Sequence, residues 1–356
     1  MTKQSGDRAI VITTINPPST TVHSITANLP NWNCLVVGDR KTPSGWSHPG
    51  VTYLDLDAQR VLYPAFAPLL PFNHYARKNI GYLHAMKTGA NVIAETDDDN
   101  IPYDNFLKGE HVDTTARPVH QSGWVNIYRF FSDQRIWPRG FPLEKINHSL
   151  GGAPALGDPA PYHCPVQQYL ADEDPDVDAI FRLTNNVPTK FKSDPHRNLI
   201  VLPPGSFCPF NSQNTVWWRE GFIFLYLPSQ VSFRMTDIWR SFIAQVCLHA
   251  IGSSIAFGPA TMKQIRNRHD LLDDFRQEVI GYFNNSRIVE ALIELPLSSA
   301  KDDNAANLLL CYRKLVDIAI IPPDELPIVE AWIDAVAHLT KGGGTAEQDH
   351  ARGFAR

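Results

Sequence analysis

Three consecutive aspartates, Asp97-Asp98-Asp99, close a short apolar run, Asn91-Val92-Ile93-Ala94. An apolar run that leads straight into stacked charge constrains the fold. The run reads as a strand whose body is buried and whose end reaches a polar edge. Like charges this close repel, and burying them is unfavourable unless a cation neutralises them. Carboxylates are hard oxygen ligands that suit Mg²⁺ or Mn²⁺, and Mg²⁺ sites are commonly completed by substrate phosphates. In extended backbone Asp97 and Asp99 point one way and Asp98 the other. That is the D-x-D arrangement required by a metal-bound nucleotide diphosphate. The competing reading is a solvated acidic turn, with Asn100 and Pro102 as its turn residues.

The neighbouring segments favour the first reading. Residues 9–15 form a continuous apolar, β-branched run, residues 34–39 a second, and residues 51–54 a third, as buried parallel strands read. Asn16-Pro17-Pro18 stops the first, and Ser19 or Thr20 is placed to cap a helix. Ile80, Leu83 and Met86 or Lys87 give a helical period over 75–88, with Gly89 at the left-handed C-cap position. Short strands alternating with helices predict an α/β fold: a mostly parallel central sheet flanked by helices. Ligands of such sheets bind beyond the carboxyl ends of the strands. The polar ends Thr13-Thr14-Ile15-Asn16, Gly38-Asp39-Arg40-Lys41 and Asp97-Asp98-Asp99 therefore gather on one edge.

Residues 105–215 are rich in loops, proline and aromatic residues, as a sheet extension or an acceptor-binding wall would be. Helical periods follow at 238–250, with Asp237 or Thr236 as N-cap, at 270–284 (Leu272, Phe275, Val279 and Phe283), at 286–295, at 303–318 and at 324–339. The expected organisation is an α/β domain over 1–285, a helical C-terminal extension over 286–340 and a disordered tail over 341–356.

The chain has 356 residues and a net charge of −5, against a nonspecific nucleic-acid binder, which needs a basic surface. Five scattered cysteines suggest buried thiols rather than a disulfide framework or a zinc site. The first apolar run is too short for a signal peptide. The longest uncharged stretch, Asn198 to Trp218, is broken by prolines and Gly205, so no membrane span and a cytoplasmic location are expected. No G-x-G-x-x-G follows the first strand and no G-x-x-x-x-G-K-[ST] occurs, against a dinucleotide-dependent dehydrogenase and a P-loop NTPase.

These pieces resemble a GT-A glycosyltransferase, and the likeness narrows further. Val36-Val37-Gly38-Asp39-Arg40-Lys41-Thr42-Pro43, Ala76-Arg77-Lys78-Asn79-Ile80-Gly81-Tyr82 and Glu95-Thr96-Asp97-Asp98-Asp99-Asn100 are similar to segments of the STELLO family. So are Trp137-Pro138-Arg139-Gly140-Phe141-Pro142-Leu143, Asp174 to Leu183, Pro209 to Thr215, Phe233 to Arg240 and Arg266 to Phe275. The likeness runs in order over roughly residues 9–285. STELLO proteins of plants are Golgi membrane proteins with a glycosyltransferase-like domain, implicated in cellulose synthase assembly. The N-terminal membrane anchor of that family is not expected in this chain, and Golgi residence is not expected to carry over. A weaker likeness links the Asp run and Asp237-Ile238-Trp239 to reversibly glycosylated polypeptides, which include UDP-arabinopyranose mutases.

The resemblance implies roles for named residues. Asp97 and Asp99 are candidate metal and ribose contacts, Asp98 a support for either or a solvent-facing residue, and His269 a third metal ligand or a helix cap. Arg77, Lys78, Lys41 and Arg266 supply positive charge for a diphosphate. Thr13, Thr14, Asn16 and Asp39 become contacts to base or ribose, and Asn211, Gln213 and Asn214 suit sugar hydroxyls. Asp237 is the candidate catalytic base of an inverting transferase, or orients the donor sugar if configuration is retained. Trp217, Trp218 and Trp239 either stack on sugar rings or pack in the core. The expected function is a Mn²⁺- or Mg²⁺-dependent transfer from a nucleotide sugar, most simply a UDP-sugar, to a glycan or small-molecule hydroxyl. The alternatives are a nucleotide-sugar mutase and a silent GT-A scaffold. A homo-oligomer is compatible with the C-terminal helices.

Overall fold

The computed structural model describes residues 7–185, 187–192, 199–267 and 270–342. The strands are β1 Arg8–Thr13, β2 Asn33–Val37, β3 Val51–Leu54, β4 Val92–Thr96, β5 Asn100–Pro102, β6 Asp113–Pro118, β7 Gly123–Trp124, β8 Ala160–His163, β9 Val166–Asp172, β10 Leu199–Leu202, β11 Ser206–Phe207, β12 Asn214–Trp218 and β13 Ile255–Gln264. The helices are α1 Thr20–Asn28, α2 Leu56–Leu62, α3 Lys78–Lys87, α4 Leu143–Ser149, α5 Ala179–Thr184, α6 Thr236–Ala250, α7 Leu271–Ile293, α8 Asn304–Asp317 and α9 Leu326–Gly342.

One sheet runs β3-β2-β1-β4-β12-β9-β13-β10-β6-β8, with β5 on β13. Its first four strands are parallel, as their apolar runs predict. Beyond β4 the sheet is mixed, because β12 enters antiparallel to both β4 and β9. The loop-rich middle of the chain is thus a sheet extension. Strand β1 shows why the runs are continuous. Ala9 and Val11 enter one core with α3 and α6, while Ile10 and Ile12 enter a second core with α1. Both faces of the strand are buried, so every position is apolar.

Gly81 lets α3 lie flat on this sheet: a Cβ there would meet Val11 Cγ1 at 2.4 Å and Val37 Cγ2 at 2.8 Å. Ser19 caps α1 through Val22 N, and Gly89 ends α3 with φ +91°, both as the sequence predicts.

Three helix boundaries differ from the sequence reading. The 75–88 segment opens with a 3₁₀ turn, Tyr75–Arg77, before α3. The 270–284 and 286–295 segments are one helix, α7, because Asn285 and Ser286 continue the turn and Asn285 is buried against Trp239 and Gly140. Helix α6 starts at Thr236 behind Met235, so neither Thr236 nor Asp237 is its N-cap.

Helix α6 is buried from Thr236 to Leu248 and anchors the site. Its Arg240 places Nη1 2.9 Å and Nη2 2.7 Å from the two oxygens of Glu95, on the strand that leads into the Asp run. Tyr82 O–H and Trp217 Nε1–H also donate to Glu95. Leu308, Cys311, Tyr312 and Trp332 of α8 and α9 join the same hydrophobic cluster as the sheet. The five cysteines are buried thiols. Among the described residues no helix is long and apolar enough to cross a membrane. The tail expected to be disordered lies, from residue 343, outside the described residues.

Candidate functional site

The strand order 3-2-1-4 creates a topological switch point between β1 and β4, where α/β sheets bind ligands. A cavity of about 670 Å³ opens there, beyond the carboxyl ends of β1, β2 and β4. Thr13, Thr14, Asn16, Asp39, Lys41, Arg77, Asp97, Asp98, Asp99, Gln213, Asp237 and Arg266 all line it. Residues separated by more than two hundred positions are thereby brought to one wall.

Strand β4 ends at Thr96, and Asp98 and Asp99 lie in a turn rather than in continued extended backbone. The expected alternation of the three side chains is therefore replaced by a fan, each carboxylate reaching a different wall. Asp98 accepts from Thr14 Oγ1 and from Asn16 Nδ2 (3.0 Å), so it ties the ends of β1 and β4 together. Asp97 accepts from Tyr75 O–H (2.6 Å) and Lys78 Nζ (3.1 Å). Both oxygens of Asp99 accept from Gln264 Nε2 (3.1 Å each).

Lys78 is the fully buried cation of this cluster, and it also donates to Thr96 O and Tyr75. One ammonium against three carboxylates leaves excess negative charge. Burial first, and the Asp97 charge second, push Asp99 up to about 6. A divalent cation relieves that repulsion, and the donor set is the hard oxygen chemistry of Mg²⁺ or Mn²⁺. No three metal-ligating side chains among the described residues form a ready cage. His269 lies outside the described residues.

The cavity floor is a buried ion triad. Arg139 faces Asp176 through Nε (2.7 Å) and Nη2 (2.9 Å), and Asp237 through Nη1 (3.1 Å) and Nη2 (3.0 Å). Gly140, at φ +88°, permits this turn: a Cβ there would sit 2.3 Å from Ile238 Cγ2. Ser212 Oγ lies 3.2 Å from Asp237 and 2.6 Å from Tyr75 Oη, which also lies 2.6 Å from Asp97, so two hydroxyl protons are shared along the row Asp97–Tyr75–Ser212–Asp237. Burial opposes ionisation of Asp237, but the Arg139 charge and hydrogen bonds hold its carboxyl below the usual range.

A third wall carries two arginines, each paired with a buried carboxylate. Arg234 Nη2 lies 2.8 Å from Glu278, and Arg266 Nη2 lies 3.2 Å from Asp274. Burial first, then the charges of Arg182 and Arg234, bring Arg266 down to about 10.

Several expected contacts are employed elsewhere. The Arg77 guanidinium is turned onto Gln59 Oε1 and Leu70 O, and lies over Phe72, so it braces the wall. Asn211 holds Gln168, and Asn214 holds Leu170 O and Thr261, inside the sheet rather than in the cavity. Trp217 and Trp239 are core residues, and Trp218 lies outside the cavity lining. Tyr75, Arg139, Asp176, Arg234 and Gln264 line the cavity without having been singled out from sequence. Arg139 and Asp176 lie in two of the motif-bearing segments, which is the signal that was there to find them.

Fold and cavity define an α/β, GT-A-like protein. A family model described as STELLO glycosyltransferases matches residues 234–340, from Arg234 into α9. Two Arabidopsis thaliana proteins, "Probable glycosyltransferase STELLO1" and "Probable glycosyltransferase STELLO2", are 30% and 29% identical to the chain over 309 residues, 81% of its length. The chain is a STELLO-family, glycosyltransferase-like protein. It spans 39% of the length of each of these relatives.

Proposed function

We propose that the chain is a divalent-cation-dependent glycosyltransferase that uses a nucleotide sugar, with a UDP-sugar as the donor. The observation that carries this reading is the fan of Asp97, Asp98 and Asp99 into a cavity at the switch point, whose lining also includes Arg234 and Arg266. The family and the names of the relatives support the reaction class. When bound, the cation neutralises the diphosphate and stabilises the leaving nucleotide. Asp97 and Asp99 are its candidate ligands, with Asp98 positioning the turn. Thr13, Thr14, Asn16 and Asp39 face the nucleoside end, where hydroxyl, amide and carboxylate groups suit ribose and a base edge. Arg266 and Arg234 face the phosphates and the transferred sugar.

Asp237 is the carboxylate at the chemical end of the cavity. A general base works best with a pKa near the operating pH. Asp237, held ionised by Arg139, suits a second role better. It is a fixed negative charge that accepts a hydrogen bond from the acceptor hydroxyl and opposes the positive charge developing at the anomeric carbon. The test is a panel of UDP-sugars with Mn²⁺ and simple glycan acceptors. UDP release that depends on acceptor supports transfer. An isomerised UDP-sugar without release makes the protein a mutase, and absence of both with all donors makes it a scaffold.

A further inference from the structure

Helix α7 is apolar on two sides. Its inner face, Gly281, Asn285, Ile288, Val289 and Leu292, is buried on the core. Its outer face carries Leu272 (69% exposed), Phe275 (36%), Ile280 (43%) and Phe283 (80%), with Val279 half-buried among them. The apolar period predicted over 270–284 is real, yet it points to solvent. An outer helix face in water is ordinarily polar, and clustered apolar surface marks an interface. Three charged residues of this face flank Phe283. Arg276 stands seven positions before it and bonds Asp273 (2.6 Å), Arg287 stands four after and donates to Ile318 O (2.9 Å), and Glu290 stands seven after; all three are exposed.

We infer that α7 pairs antiparallel with α7 of a second copy of this chain, about a twofold axis through Phe283. An antiparallel pair centred on one residue sets each position opposite its mirror position. Phe283 then meets Phe283 of the second copy, and each Arg276 faces a Glu290. A twofold interface is self-complementary in this way, every contact occurring twice. Charge complementarity selects the register: centring the axis on Val279 would instead set Arg276 against Tyr282 and leave Glu290 over the helix start. A helix of 23 residues is about 34 Å long. One helix pair therefore covers less than the standard interface of about 800 Å² per partner, which puts the dimer in the weak, transient class. The interface adjoins the third wall of the cavity, since Asp274, which holds Arg266, stands between Asp273 and Phe275 on this helix.

Sedimentation equilibrium over about 1–200 μM, the range of a weak interface, tests the pairing. The wild type is expected to move from 39.9 kDa towards twice that mass as concentration rises. Phe283→Glu is expected to stay monomeric with an unchanged circular-dichroism melt, because Phe283 is not part of the core. Arg276→Glu is expected to weaken the dimer at least tenfold, and Arg276→Glu with Glu290→Arg to restore it. A wild type monomeric throughout, a dimer indifferent to Phe283→Glu, or a charge swap that fails to restore it overturns the proposal.

Discussion

Arg139 grips Asp237 with both terminal nitrogens, at 3.1 and 3.0 Å, while the same guanidinium holds Asp176. The pair joins a glycine-enabled turn to the first turn of α6, so a carboxylate at the cavity floor is held in place from two directions. Its position in the first helical turn adds the favourable field of the helix N-terminus.

Removing Arg139 leaves two buried carboxylates without their partner. Arg139→Ala is expected to cost about 3–5 kcal/mol, read as a lower urea midpoint with an unchanged slope. Asp237→Asn keeps the Arg139–Asp176 pair. It is expected to fold with a smaller loss, while transfer falls about 10²–10⁴-fold. If Asp237→Asn turns over like the wild type, Asp237 has no part in the chemistry.

The Glu95–Arg240 pair is a purely structural prediction. Both side chains are buried, with four donor groups converging on Glu95. Glu95→Ala is expected to destabilise by about 3–5 kcal/mol by stranding Arg240, and Glu95→Ala with Arg240→Met to recover part of that loss. Thermal melts of the two variants decide it.

Much of this was legible in the sequence. The runs 9–15, 34–39 and 91–96 announce two-faced burial, and their polar ends do meet at one cavity. Thr14 and Asn16 were singled out from strand-end position, and both hold Asp98. What could not be read was the direction of side chains after a strand ends. Asp98 and Asp99 lie in a turn, Arg77 turns away to Gln59, and Asn211 and Asn214 turn into the sheet. Arg139 and Asp176 lie 37 positions apart in a region without helical or strand period. Their pairing depends on tertiary packing that local pattern does not encode. The α7 stripe shows the converse: its period was plain, but the sequence does not say whether the apolar face meets its own core or another surface.

Tyr75 links the two ends of the cavity through Asp97 and Ser212. Tyr75→Phe removes a hydrogen bond to a charged group, worth about 1.5–3 kcal/mol. Nucleotide binding is expected to change less than turnover, which should fall about 10–100-fold. Equal losses in both would assign Tyr75 to wall structure alone.

Under the proposed function, Asp99 governs the pH dependence of cation binding. Its carboxyl sits near 6, above the ordinary 3.8, so without a cation the folded protein holds a proton there as pH falls through 6. Protons and cation then compete. Mn²⁺ affinity is expected to be flat above about pH 7 and to weaken about tenfold per unit below 6. The same shift lowers the stability of the cation-free protein as pH rises from about 4 to 6, because the folded state binds the extra proton. Asp99→Asn is expected to abolish this portion of the pH dependence in Mn²⁺ titrations and melts.

Calorimetric titration of UDP into the protein, with and without Mn²⁺, tests the central claim most directly. Binding is expected to require Mn²⁺ and to be lost or severely weakened in Asp99→Ala and Asp97→Ala. UDP binding of equal strength without the cation, or unchanged in both variants, would contradict a metal–diphosphate site at the Asp fan.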